Sequence, residues 1–153
     1  MSLTSRRVGA TALLIAIGCQ VVNVSSVAAS IDAGAQAFAL SGSMSTYCGI
    51  DATVLAMSFL DGDGHVLASH ETCRYQDTAW GSAVMVEDAL TSTRFVAVRL
   101  IGEARGGNDA DAFFDKLSLK ACDPNSMYPA AGRTGLTRCS PSVCVCVCVC
   151  VCV

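Results

Sequence analysis

From residue 37 onward the chain alternates short apolar runs with turn residues. AFALS (37–41), TVLAMSFL (53–60), HVLASH (65–70), a stretch around 83–86, FVAVRLIG (95–102) and AFFDKLSL (112–119) all have the length and the alternation of β-strands. Gly42-Ser43, Asp61-Gly62-Asp63-Gly64, residues 88–92 and Gly106-Gly107-Asn108 supply the turns between them. No long segment has a helical period, and residues 25–35 make at most one helical turn or a loop. Short strands at regular spacing imply an all-β fold, an antiparallel β-sandwich.

The pair 53–60 and 65–70 reads as a hairpin around DGDG. If Leu60 pairs with His65, Ala52 falls opposite Cys73, and Cys48 lies near the same open end. The turn is not an EF-hand, because His65 and Val66 stand where a ligand and the sharp-turn glycine belong and no closing glutamate follows. In the run 112–119, alternation places Phe113, Asp115, Leu117 and Leu119 on one face. A carboxylate on that face requires either hydrogen-bond donors or a cation.

The chain has 153 residues, 52% apolar and 15% charged, enough for one domain. Residues 31–122 hold twelve acids against six bases, which argues against a nucleic-acid partner. Residues 1–19 have the make-up of a signal or leader segment, with Arg6 and Arg7 before an apolar run over 8–17. Val27 and Ala29 fit the small positions of a signal-peptidase cut, Ala16 to Cys19 is a weaker match to a lipidation box, and QVVNVSS (20–26) reads alternatively as the first strand of the domain. The expected domain spans 20–122, followed by a disordered tail over 123–153.

That tail ends in a strict Val-Cys alternation over 143–153, which carries five of the ten cysteines. A tandem GT repeat in the DNA reads as valine then cysteine, so the tract has the form of a translated microsatellite; a thiolate metal tract is the rival reading. At eleven residues it is too short to span a membrane as a helix, and no membrane span is expected. Without Cys19 and the tract, Cys48, Cys73, Cys122 and Cys139 remain, an even set that suits disulfides in an exported chain. Of three pairings, the hairpin register favours Cys48 with Cys73.

IDAGAQAFALSG (31–42), MSFLDGDGHVL (57–67), Trp80, TRFVAVRLIG (93–102) and DAFFDKLSL (111–119) resemble, in the same order, segments of galactose-binding-like jelly-roll domains of the carbohydrate-binding-module type. QVVNVSS resembles the strand that precedes IDAG there, whereas the family's opening strands have no counterpart. The resemblance implies a jelly-roll sandwich and a non-catalytic, secreted or cell-surface module that binds a glycan or glycoprotein. The other reading is a structural remnant of a larger extracellular protein that binds no glycan. The resemblance also puts Asp115 at a structural calcium site; the alternative is that Asp115 caps turn amides beside 106–109. Lys116 and Phe113 depart from the family's usual residues.

Stacking on sugar rings makes Trp80, Tyr47 and Tyr75 the candidate ligand-binding residues, with a core plug as the other reading of Trp80. Catalysis finds no support. His65 and His70 fall on opposite strand faces and read as solvent-facing, and G-x-S-x-G, H-E-x-x-H and P-loop patterns are absent, so no enzyme is expected.

Overall fold

The computed structural model describes residues 13–47, 49–105 and 110–123. Two antiparallel sheets face each other: a four-stranded sheet in the order β1-β6-β3-β4 and a three-stranded sheet in the order β5-β2-β7. The strands are β1 (Leu13–Asn23), β2 (Ala37–Thr46), β3 (Ala52–Leu60), β4 (Val66–Glu71), β5 (Gly81–Asp88), β6 (Phe95–Ala104) and β7 (Ala112–Cys122). A 3-10 turn (Ser25–Val27) and a short helix α1 (Ala28–Asp32) link the two sheets. The all-β sandwich expected from the strand pattern is the observed fold. β1 runs back to Leu13 through residues with leader-like composition, and residues 1–12 and the tail from 124 lie outside the described residues.

Alternation builds the core. Val96, Val98 and Leu100 of β6 and Leu55, Met57 and Phe59 of β3 meet Phe38, Leu40 and Met44 of β2 and Leu119 of β7. The Phe38 and Phe59 rings lie 6.0 Å apart, and Ile31 of α1 closes one end of the layer with no exposure to solvent. The edge strands β4 and β5 are joined across the sandwich by His70 Nδ1 and Glu87, 3.4 Å apart, with the His70 ring edge-on to Phe59. His70 therefore faces the core margin rather than solvent, because Phe59 offers its ring at that edge.

Two registers differ from the sequence expectation. In the hairpin Leu60 pairs with Val66 and, after a one-residue shift, Phe59 pairs with Ala68 and Ala56 with Glu71. Asp61 sets this longer turn: its carboxylate accepts from the amides of Asp63 and His65, both at 2.9 Å, and the His65 amide is the main cause that holds its pKa below the usual range. Tyr75, not Cys73, therefore reaches the start of β3, bridging to Thr53. Cys73 is an exposed free thiol, so the Cys48–Cys73 disulfide expected from the hairpin is corrected; Cys48 itself lies outside the described residues.

The second difference is in β7. The pairing of β2 with β7 shifts between Ser41 and Ser43, and Lys116 opposite the shift has φ +53°. That bulge breaks the alternation, so Phe114, Leu117 and Leu119 pack inward while Phe113 and Asp115 point out. Asp115 is exposed, with its carboxylate accepting from the Lys116 amide at 2.7 Å, and the expected acid on an apolar face does not exist. Gly42 sits across from the bulge, where a Cβ would come within 2.7 Å of Leu117 Cδ2.

Candidate functional site

The end of the sandwich formed by 45–47, 49–51, 72–80 and 110–113 gathers exposed aromatic residues. Its loops are fixed from below by hydrogen bonds of backbone and side-chain groups. Thr46 N donates to Asp77 O at 3.0 Å, Tyr47 N to Asp111 O at 3.2 Å, and Ser45 Oγ to Thr78 O at 2.9 Å. The buried Asp51 carboxylate accepts from the amides of Arg105 and Asp111, both at 2.9 Å, and so ties the end of β6 to the start of β7.

Tyr75 holds the loop that carries Trp80. Its hydroxyl donates to Ala79 O at 2.8 Å, and its half-buried ring lies so close to Gly81 that a Cβ there would overlap Cε2 and Cζ. Ala79 N also donates to Asp77 Oδ1, closing the turn just before Trp80. Tyr75 thus supports the surface. Trp80 and Tyr47 form part of it, with 57% and 68% of their surface exposed.

Sheet register adds a residue that strand alternation puts on the face of Leu117 and Leu119. Phe113, 46% exposed, pairs with Ser45, while Trp80 directly precedes Gly81, the partner of Met44 on the other side of β2. Trp80 and Phe113 thereby flank β2 from its two neighbours. In an antiparallel sheet their backbones stand about 10 Å apart, two strand spacings. The next row on this outer face is Ser82, Ser43 and Asp115. Aromatic faces at the end and hydroxyl and carboxylate groups beside them make an amphipathic surface able to stack on a ring and hydrogen-bond its substituents. Phe113 was legible as an aromatic position but not as an exposed one, because the bulge at Lys116 reverses the face.

The other charged groups nearby serve the fold. Glu103, with a side chain 3% exposed, accepts from Arg74 Nε through both oxygens at 2.8 Å and from Arg105 Nη2 at 3.3 Å. The Arg74 hydrogen bond, against the opposing effect of burial, holds the Glu103 carboxyl below its ordinary range. Asp32 is likewise lowered by the Arg94 guanidinium, at 2.7 Å. Among the described residues the one gathering of potential metal ligands is Asp61, Asp63 and His65 in the hairpin turn; no such group surrounds Asp115. No helix among the described residues is long and apolar enough to cross a membrane.

No family model and no curated protein matches the chain. Among solved structures, the enzymatically active domain of bacteriophage CBA120 tailspike protein 4 is similar over 78% of this chain, with a TM-score of 0.51 and 11% identity. A structure of infectious bursal disease virus, Gx strain, gives 0.44 at 9% identity over 73% of the chain. The Clostridium thermocellum xylanase 10B CBM22-1–GH10 modules, complexed with xylohexaose, give 0.40 at 16% identity over 64% of the chain. The chain spans 17%, 27% and 18% of these three structures, so each likeness concerns part of a larger protein. The tailspike likeness agrees with the β-sandwich architecture.

Proposed function

We propose that this chain is a non-catalytic glycan-binding module of the galactose-binding-like type, acting outside the cell on a glycan or glycoprotein. One observation carries the reading: Trp80 and Phe113 are exposed on either side of β2 next to a polar row of Ser82, Ser43 and Asp115. Two large aromatic residues exposed on one sheet face offer apolar rings to a partner, and a sugar ring suits a surface that mixes such rings with hydroxyls. In this reading Trp80 and Phe113 stack, Tyr47 extends the surface, Tyr75 holds the Trp80 loop, and Asp115 accepts from a ring hydroxyl. The exposed Asp115 carboxylate also leaves the calcium role implied by the family resemblance as a proposal, with a chelator-induced fall in melting temperature as its sign.

Glycan-array binding of the full chain tests the function, followed by titration of the best hit against Trp80 emission, since Trp80 is the single tryptophan. Saturable quenching that Phe113→Ala weakens about tenfold or more supports the reading. Absence of any hit at millimolar glycan would replace it with the structural-remnant reading.

A further inference from the structure

Cys122, the last residue of β7, is disulfide-bonded. Phe38 and Leu40 enter the core, so Ala37 and Ala39 point to the outer face of the three-stranded sheet, and Cys122, the register partner of Ala37, stands on that face beside it. Ala37 and Cys122 are nevertheless shut off from solvent, at 0% and 2% exposure, in a small apolar cluster with Ala39 and Val86. The Gln36 side-chain amide fixes this corner by donating to Ala37 O at 2.9 Å and to Cys122 O at 2.8 Å.

Distance narrows the choice of partner. Cys19 and Cys73 are free thiols. Cys48 follows Tyr47, whose amide donates to Asp111 O at the other end of the sheet, where Thr46 pairs with Ala112. The nine residue steps of β2 from that row to the Ala37–Cys122 row span about 30 Å, and a disulfide tolerates a Cα separation of about 7 Å at most. The remaining cysteines are Cys139 and the five of the Val-Cys tract, all downstream of β7. Of these, Cys139 closes the shortest loop, 17 positions on, and the entropic cost of closure rises with loop length. It also stands between Arg138 and Ser140, whereas every tract cysteine lies between two valines, whose branched side chains stiffen the approach.

We propose that Cys122 and Cys139 form a disulfide that ties the chain downstream of β7 back to the three-stranded sheet, at the end opposite Trp80 and Phe113. β7 has only β2 as a neighbour in that sheet and carries Phe113 near its start, so the bond staples the far end of the edge strand that presents part of the aromatic surface. As the S–S bond forms, the two thiols give up two protons and two electrons, which a disulfide oxidant takes up as it is reduced to two thiols. An oxidising compartment supplies that oxidant. The bond stands independently of glycan binding.

The test is a peptide map of the full chain, produced in an oxidising compartment, with free thiols blocked by iodoacetamide and no reducing agent. Trypsin places Cys122 in the peptide 121–133, Cys139 and the tract in 139–153, and Cys19, Cys48 and Cys73 together in 8–74. The expected map joins 121–133 to 139–153, with fragmentation assigning the bond to Cys139 and with Cys19 and Cys73 alkylated in the same sample. A bond to a tract cysteine overturns the choice of Cys139. A bond from 121–133 to 8–74, or an alkylated Cys122, overturns the tie itself. Dithiothreitol should lower the melting temperature of the wild type by several degrees and leave that of Cys139→Ser where it was, because that variant has no such bond to lose. An equal fall in both overturns the stapling role, and if Cys139→Ser fails to fold, the wild-type map decides.

Discussion

Replacing Glu103 by glutamine isolates the charge of a carboxylate that is 3% exposed and paired with two arginines. The isostere keeps the shape but presents an NH2 group to the Arg74 and Arg105 donors that the carboxylate now accepts at 2.8 and 3.3 Å. A hydrogen bond to a charged group contributes about 1.5–3 kcal/mol, and breaking a fully buried pair costs about 3–5 kcal/mol. Arg74 and Arg105 keep 55% and 38% of their side-chain surface in solvent and recover hydration when the pair is lost, so the lower range applies. The expected loss at pH 7 is about 2 kcal/mol, or roughly 8–15 °C in melting temperature for a domain of this size. Urea unfolding at pH 7 and again in acid measures it. The folded carboxyl lies below its unfolded value of about 4.3, so the wild type holds this stability above that pH and loses it as pH falls through the folded pKa. The gap between wild type and Glu103→Gln should therefore narrow in acid. A gap under about 0.5 kcal/mol at pH 7, or one that stays constant with pH, would refute the argument.

Lys116→Gly should stabilise the fold by about 0.5–1 kcal/mol, since Lys116 sits at φ +53° where a Cβ is unfavourable; a lower melting temperature would mean that its side chain holds the bulge. Gly81→Ala should cost about 1–3 kcal/mol and change Trp80 emission, because its Cβ displaces the Tyr75 ring; in Tyr75→Ala the same substitution should cost far less, and equal costs in both backgrounds would count against that contact.

The strands were legible because burial on one face imposes a period of two, which is why β3, β6 and β2 stand within a few residues of where their apolar runs put them. What escaped was set by single backbone irregularities. Nothing in AFFDKLSL marks Lys116 as left-handed, yet that one residue moved Phe113 and Asp115 to the surface. The hairpin turn was visible as DGDG, but its length depends on Asp61 taking two amides at once, and this shifted Tyr75 to the place expected for Cys73. Trp80 and Tyr47 were readable as loop aromatics, whereas Glu103 became meaningful only once the fold brought Arg74 and Arg105 to its carboxylate.

The pairing of β1 with β6, Leu13 opposite Ala104 and Asn23 opposite Phe95, also fixes when this domain is able to fold. A chain made from its N-terminus exposes its first strand before its partner exists, and that strand waits until almost the whole domain has been synthesised. The hairpin of β3 and β4 closes at once from local contacts, while the first strand remains an unpaired apolar edge. Until β6 arrives, that edge is open to pairing with other unfolded chains.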